Sequence, residues 1–174
     1  KLRQHLKAIL LGVLGKFEFS DYVKKVTVIS EEITDYGECS APILVHDLID
    51  SYEINTRSYL EEEEEKIFSF IEDCKRRADK GAEGDRVSKD IQNIENLVSS
   101  WDLVAQPIQI SAKSRGTSHE PSEKLGYAIR DLAVHLCNEH GYIEESKSLI
   151  TTLEEVFAEL PSLAEKLEDD SIQL

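Results

Sequence analysis

The 174-residue chain has no methionine, only four prolines and eight glycines, and three widely spaced cysteines. So few prolines and glycines argue against a strand-rich fold with many tight turns and favour helices. An odd cysteine count without a Cys-x-x-Cys pair argues against a disulfide framework and a zinc ribbon, and indicates a reducing, cytoplasmic setting. No apolar run approaches the roughly 20 residues that span a bilayer.

The charge of the chain is strongly one-sided, with 35 acidic against 20 basic residues and a formal net charge of -15. Such a chain repels phosphate backbones and anionic lipids, so we expect neither nucleic acid nor membrane as a partner. A protein partner with a basic surface fits this charge, and the alternative is that the charge serves solubility alone. The hydrophobic fraction of 40% is enough for a folded core.

The most informative segment is 42–80, which has no internal proline or glycine and begins after Ser40 with Pro42, a typical helix start. It predicts one long helix, or two joined by a kink near 55–56. Apolar residues recur along this segment, several of them at steps of three or four, and predict a seam that faces another helix or supports self-association. The seam residues are Leu44, Leu48, Tyr52, Tyr59, Ile67, Phe70, Cys74 and Ala78.

The remaining pattern predicts an all-α fold: a helical bundle with this long helix and a C-terminal αα-hairpin. We expect an N-terminal helical part over 1–80, a flexible connector at 81–87, and a C-terminal helical part over 88–174 with a loop at 106–122. A first helix at 2–14 is predicted to bury one apolar face. That face is formed by Leu2, Leu6, Ile9, Leu10, Val13 and Leu14.

The predicted hairpin over 122–161 carries a family resemblance. Its turn, NEHGYIEES, ends one helix at Gly141 and places the small residue Ser146 early in the next helix. It resembles the inter-helix turn of a single tetratricopeptide repeat, where alanine usually occupies the position of Ser146. Pro161 comes about one helical turn later than in that family. A generic αα-hairpin is the alternative, since no second copy follows at a fixed period.

A second resemblance covers residues 106–174, through the runs QPIQISAKSRGTSHEPS and LEEVFAELPSLAEKLEDD. This region is similar to the C-terminal helical region of uncharacterised bacterial proteins, some of which are associated with J-domain or zinc-ribbon segments. The resemblance implies a bacterial cytoplasmic interaction region and names no catalytic residues. No His-Pro-Asp tripeptide occurs in the chain, so no co-chaperone activity is implied.

The candidate binding residues are Lys113, Arg115 and His119, which make the predicted loop the most basic part of an acidic chain. Together they are expected to bind an anion or a partner protein, with the free backbone amides of the next helix nearby. The alternative is that these cations pair with carboxylates of the same protein.

Possible metal ligands cluster around the end of the predicted helix that closes at Gly141: His135, Cys137, Glu139 and His140. On a regular helix His135 and Glu139 share one face, and Cys137 and His140 share another. The two pairs point in different directions, so a complete site would need a ligand from another segment. We therefore predict no metal and no cofactor. Cys137 is expected to be a small buried side chain and His140 to favour the helix dipole.

The chain contains no nucleophile motif and no glycine-rich phosphate loop. The favoured function is therefore a non-catalytic protein–protein interaction domain, a scaffold, adaptor or regulator of bacterial origin. One alternative is a metal-dependent or small-molecule enzyme that uses His119, His135 and His140 with carboxylates near 119–140. Another is a host-directed bacterial effector.

Overall fold

The computed structural model describes residues 2–160 together with Leu163 and Lys166. Within these residues all regular secondary structure is α-helical, which confirms the predicted all-α fold. The six helices of this part are α1 (Leu2–Leu14), α2 (Phe19–Thr34), α3 (Ile43–Asp79), α4 (Gly84–Ser114), α5 (Glu120–His140) and α6 (Ile143–Val156).

The long helix α3 confirms the prediction for 42–80 to within one residue at each end. It starts directly after Pro42, whose carbonyl accepts the amide hydrogens of Val45 and His46. Most of the predicted seam is buried within the chain, as expected for an apolar stripe that packs on other helices. The buried seam residues are Leu48, Tyr52, Ile67, Cys74 and Ala78.

The end of α3 is a Schellman motif built around Gly81. The Ala82 amide donates to the Arg77 carbonyl at 3.1 Å, and the Gly81 amide donates to the Ala78 carbonyl at 2.8 Å. Gly81 has a φ of +74°, which a residue without Cβ adopts at little cost. The predicted connector at 81–87 is too long, because α4 already begins at Gly84.

The prediction of a loop at 106–122 is wrong for most of these residues. Helix α4 continues to Ser114 with Pro107 inside it, and only residues 115–119 lie outside a helix. A proline inside a helix costs about 3 kcal/mol, because it lacks an amide hydrogen and crowds the preceding turn. Ile108 and Ile110 are 4% and 0% exposed. Burying two such side chains contributes about 3–6 kcal/mol, which offsets the proline.

The chain divides into two compact units, which do not follow the predicted break at 81–87. The first unit comprises Lys1–Leu60 and Leu103–His119. The second unit comprises Glu61–Asp102 and Glu120–Leu174. Helices α3 and α4 therefore each contribute residues to both units.

The core of the first unit is built on Tyr52 of α3, which is fully buried. Its hydroxyl donates to the Val104 carbonyl of α4 at 2.8 Å, and its ring packs on that of Tyr22, with centroids 5.4 Å apart. This hydrogen bond satisfies a polar group that would otherwise be costly to bury. Further buried side chains of this unit are Val23, Val26, Leu48, Ile49, Ala105, Ile108 and Ile110.

The core of the second unit contains Trp101 and Phe157, both almost fully buried, with ring centroids 6.3 Å apart. The predicted C-terminal αα-hairpin is present as α5 and α6. The Ser146 hydroxyl of α6 donates to the Ala133 carbonyl of α5 at 2.8 Å, so a small residue does stand where the two helices approach closely. Pro161, which entered the repeat resemblance, lies outside the described residues.

Candidate functional surfaces

The two cations predicted to bind an anion lie at the end of α4, and each contacts a carboxylate of the first unit. Lys113 Nζ lies 2.7 Å from Glu38 Oε1, and this hydrogen bond holds the pKa of the Glu38 carboxyl below its usual value. Arg115 donates to Asp50 Oδ1 at 2.5 Å and to His46 Nδ1 at 3.0 Å. Both cations therefore have the internal pairing that was the alternative to anion binding.

His119, the third predicted residue, is 9% exposed. Burial lowers the pKa of its imidazole to about 4, because the charged ring would lose its hydration. The ring is therefore neutral at pH 7 and adds no positive charge. Arg115 and His119 line a cleft of about 150 Å³ together with Asp50 and Glu53, whose carboxylates disfavour an anion there. A partner-binding role for the three residues stays a prediction.

Helix α1 has an apolar surface that is exposed to solvent, although the sequence predicts that these residues are buried. Leu2 is 73% exposed, Leu6 is 41% exposed, and Ile9 and Val13 are each 49% exposed. We call these four residues the α1 stripe. The prediction that they are buried is wrong; of the predicted face only Leu14, at 6% exposure, is buried.

The packed face of α1 is adjacent to the stripe. Leu10 and Leu11 are half-buried, and Arg3 Nε forms an ion pair of 2.9 Å with Asp47 of α3. The apolar residues of α1 extend beyond a single narrow stripe and include Leu11, so periodicity alone could not decide which of them are buried. The steps from Leu2 to Leu6, Ile9 and Val13 are four, three and four residues, the spacing of a helix–helix seam.

The charge around the α1 stripe differs from that of the whole chain. The first 17 residues contain no acidic residue and four basic ones, Lys1, Arg3, Lys7 and Lys16. Lys25 of α2 adds a further cation, with Nζ 4.6 Å from the ring centroid of Phe17. The segment that carries the stripe is thus basic in sequence, and one of its cations, Arg3, is paired with Asp47 of α3.

A cleft of about 650 Å³ in the second unit lies along α4 and α6. The Ser88 hydroxyl donates to Glu145 and the Ser148 hydroxyl donates to Glu95, each at 2.5 Å. The cleft is lined by several carboxylates, among them Asp85, Glu95, Glu144 and Glu145. Two of them accept these hydroxyl hydrogen bonds, and no feature of the cleft specifies a ligand.

Three possible metal ligands come together elsewhere in the second unit. Asp79 Oδ1 lies 2.9 Å from His135 Nε2 and 2.9 Å from His140 Nε2. The imidazole rings meet edge to face, with centroids 5.1 Å apart. Hydrogen bonds from His140 and then His135 lower the pKa of the Asp79 carboxyl. We call Asp79, His135 and His140 the histidine cluster.

The histidine cluster lies where the C-terminal ends of α3 and α5 meet. Asp79 is the last residue of α3, immediately before the Schellman turn, and His140 is the last residue of α5. The Tyr142 hydroxyl donates to the Ala82 carbonyl at 2.7 Å and so joins the two following turns. Gly141, with a φ of +70°, ends α5 at the position expected from the sequence.

The sequence pointed to both histidines but not to Asp79, which precedes them by more than fifty positions. Its only local signal is a helix-terminal acidic residue before glycine, a pattern without specificity. The other two residues considered as ligands, Cys137 and Glu139, do not belong to the cluster. Among the described side chains, it is the one group of three His, Cys, Asp or Glu residues whose ligand atoms all lie within 4.8 Å of one another.

The fold and these surfaces define an all-helical protein with an exposed apolar helix and a compact histidine cluster. No protein-family model matches the chain, and neither the curated proteins nor the solved structures give a significant match. In the described part of the chain, none of the helices has the length and apolar character that crossing a bilayer requires.

Proposed function

We propose that the protein is a non-catalytic protein–protein interaction domain and that the α1 stripe receives an amphipathic helix of a partner protein. The observation that carries this proposal is the exposure of Leu2, Leu6, Ile9 and Val13, between 41% and 73%, at the spacing of a helix–helix seam. A contiguous exposed apolar surface is typical of an interaction site.

The charge beside the stripe defines the chemistry of the partner. Four basic residues and no acidic residue within the first 17 positions favour a partner helix with carboxylates beside its apolar face. The net charge of -15 instead predicted a basic partner. Salt ions screen charges beyond about 10 Å at 0.1 M, so the charged residues nearest the stripe determine which partner charge is preferred.

The same charges argue against a second α1 as the occupant. Two copies of α1 packed on each other would place basic residues against basic residues, without carboxylates from either helix. A membrane surface is the other occupant that an apolar stripe on a basic segment would accept, and the vesicle measurement below distinguishes it from a partner helix. A partner helix with acidic flanks meets both the apolar and the electrostatic requirement.

The expected complex is a modest one. Burying the remaining exposed area of four aliphatic side chains contributes on the order of 4 kcal/mol, before the cost of association. We therefore expect a reversible interaction that weakens as salt increases. The bacterial, cytoplasmic setting and the host-directed effector remain predictions from the sequence.

The rival enzyme hypothesis needed His119 together with His135 and His140. His119 belongs to the first unit, where it is buried and neutral, and the other two belong to the second unit. None of the exposed groups on α1 is a nucleophile or a strong acid–base catalyst with an orienting partner. These observations support binding over catalysis at the α1 stripe.

The proposal is tested by placing a photo-crosslinking amino acid at Ile9 and mapping the cross-linked partner peptide by mass spectrometry. The mapped peptide, synthesised with a fluorophore, is then titrated with the protein by fluorescence anisotropy. We expect an amphipathic helix with acidic flanks whose affinity falls at least tenfold for Ile9→Glu, because a charge enters the seam. Gln4→Glu adds the same charge on an exposed polar position of α1 and should change the affinity far less.

A double variant, Lys113→Ala with Arg115→Ala, tests the surface predicted from the sequence. Unchanged affinity in this variant, with loss in Ile9→Glu, supports the α1 stripe. Loss only in the double variant would overturn the stripe in favour of the α4 end. Cross-links to a second copy of the chain, or co-sedimentation of the protein with phosphatidylserine vesicles through α1, would replace the proposed partner with self-association or a membrane surface.

A further inference from the structure

We propose that the histidine cluster of the second unit, Asp79, His135 and His140, is a binding site for a divalent transition-metal ion such as Zn²⁺. Two imidazoles and one carboxylate are a common ligand set for zinc and for iron(II). The inference is independent of the function proposed for α1, because no residue of the first unit takes part.

The geometry brings the correct atoms together. Both Nε2 atoms point at the same Asp79 oxygen, each from 2.9 Å, and all three ligand atoms lie within 4.8 Å of one another. Zinc–nitrogen and zinc–oxygen distances are about 2.0–2.2 Å, so ligands of one ion lie roughly 3–3.5 Å apart. Small side-chain rotations suffice to surround an ion.

The hydrogen bonds within the cluster also show which protons must move when a metal ion binds. Because the Asp79 carboxylate can only accept, each histidine donates from Nε2 in the metal-free protein. A metal ion needs the lone pair of that nitrogen. A neutral ring supplies it by carrying its proton on Nδ1 instead, and a charged ring releases one proton to water.

The backbone around the cluster holds the ligands in place before any ion arrives. Asp79 is followed by the Schellman turn at Gly81, and the Tyr142 hydroxyl fixes the turn after His140 to the Ala82 carbonyl at 2.7 Å. Ligands on helix ends that are already joined lose little conformational freedom on binding. An ion would then tie the end of α3 to the end of α5.

The cluster is accessible to solvent, which a metal requires for entry. The side chain of Asp79 is 55% exposed, and those of His135 and His140 are 29% and 21% exposed. Three protein ligands leave at least one coordination position for water or for a ligand from another molecule. Calcium and magnesium prefer six or more oxygen ligands and are poor candidates for this nitrogen-rich set.

The test is isothermal titration of the full chain with ZnCl₂ at neutral pH, with MgCl₂ as the comparison ion. We expect one Zn²⁺ per chain and no measurable Mg²⁺ binding. Asp79→Asn, His135→Gln and His140→Gln should each weaken zinc binding by more than tenfold, since even indirect partners of metal ligands change affinity by about 10–100-fold. His5→Gln, which changes an exposed histidine of the first unit, should leave zinc binding unchanged.

A spectroscopic measurement keeps the proposal falsifiable if a variant folds poorly. Long-range ¹H–¹⁵N spectra of the imidazoles report each histidine in the wild-type protein. Zinc should shift the Nε2 signals of His135 and His140 and leave the signals of His46 and His119 in place. Absence of zinc binding would overturn the site. So would zinc binding that leaves these two rings unchanged, or that survives when Asp79→Asn, His135→Gln and His140→Gln are combined in one variant.

Discussion

The two compact units of the protein differ in both charge and surface. The first unit contains nine acidic and nine basic residues, whereas the second contains 26 acidic and 11 basic residues and so carries the whole net charge of -15. Of the 15 large apolar side chains that are exposed in the described part of the chain, 13 belong to the first unit. An overall charge is therefore a poor guide to the surface that a partner meets.

The difference follows from how each unit uses its helices. In the second unit the hairpin of α5 and α6 contributes much of the core, and among the large apolar side chains that the structure describes there, only Phe70 and Ile143 are exposed. In the first unit α1 is buried only through Leu14 and leaves the α1 stripe uncovered. A unit with low net charge and an uncovered apolar face is suited to association, and a strongly charged unit with a closed core is suited to solubility.

The largest expected effect separates buried from exposed side chains along α4. Trp101 is fully buried against Phe157 in the second unit, so Trp101→Ala should lower the free energy of unfolding by about 3–5 kcal/mol. Leu103, two positions along the same helix, is 64% exposed and belongs to the first unit. Leu103→Ala should change stability by less than about 0.5 kcal/mol. Urea unfolding followed by circular dichroism measures the free energy of unfolding of both variants. Equal losses of stability in the two variants would contradict the difference in burial between Trp101 and Leu103.

A second prediction concerns pH and the buried histidine of the first unit. The pKa of His119 is about 4 in the folded protein, below its ordinary value near 6.5. The unfolded chain therefore binds a proton first as the pH falls, and stability is lost between about pH 6.5 and 4. The loss is at most about 3 kcal/mol, because a pKa that differs by one between the folded and unfolded states corresponds to about 1.4 kcal/mol.

The measurement for this prediction is the free energy of unfolding at pH 7 and at pH 4 for the wild type and for His119→Gln. The variant cannot gain the proton, so its stability should fall less over this interval. Carboxylates that titrate in the same range are common to both proteins and cancel in the difference. His5→Gln, at an exposed position, should follow the wild type; a pH dependence unchanged by His119→Gln would contradict the burial of His119.

A smaller effect is expected from the hydroxyl of Tyr52 in the first unit. Tyr52→Phe removes its hydrogen bond to the Val104 carbonyl and should destabilise the protein by about 1 kcal/mol, the usual net contribution of such a bond. Tyr36→Phe removes a hydroxyl from a side chain that is 60% exposed and should have no measurable effect. Thermal unfolding compares the two, and a larger loss from Tyr36→Phe would show that the first unit is packed differently.

The smallest expected effect tests whether the α1 stripe is surface or core. Ile9 is 49% exposed, so Ile9→Glu should change the free energy of unfolding by less than about 0.5 kcal/mol. The same variant is expected to weaken partner binding at least tenfold, which separates its effect on binding from its effect on folding. A loss of more than about 2 kcal/mol would assign Ile9 to the core and remove the difference in exposed apolar surface.

Local sequence patterns predicted the helices well but their surroundings poorly. The long helix and the C-terminal hairpin were predicted from apolar spacing together with Pro42, Gly81 and Gly141, and α3, α5 and α6 confirm them. The loop at 106–122 was predicted from Pro107, and the structure shows a helix there because Ile108 and Ile110 are buried. The cost of about 3 kcal/mol for a proline inside a helix can be estimated from the local sequence. The burial that offsets this cost depends on the tertiary structure and cannot be read from the local sequence.

For the candidate surfaces, too, the sequence identified individual residues but not their partners. The sequence identified Lys113 and Arg115 as unusual cations, but could not show that Glu38 and Asp50 pair with them. Such pairs depend on residues more than sixty positions apart, for which periodicity carries no information.

The amino-acid sequence by itself determined that the chain is helical, where its longest helix begins and ends, and that its charge is negative. The charge follows from composition alone. The helical properties follow from the 3.6-residue repeat of apolar residues and from the backbone limits of proline and glycine, both of which act over a few neighbouring positions. Only the tertiary structure decided which face of α1 remains exposed and that Asp79 joins His135 and His140. Those outcomes depend on contacts between segments far apart in the chain, where packing selects among arrangements that local preferences leave open.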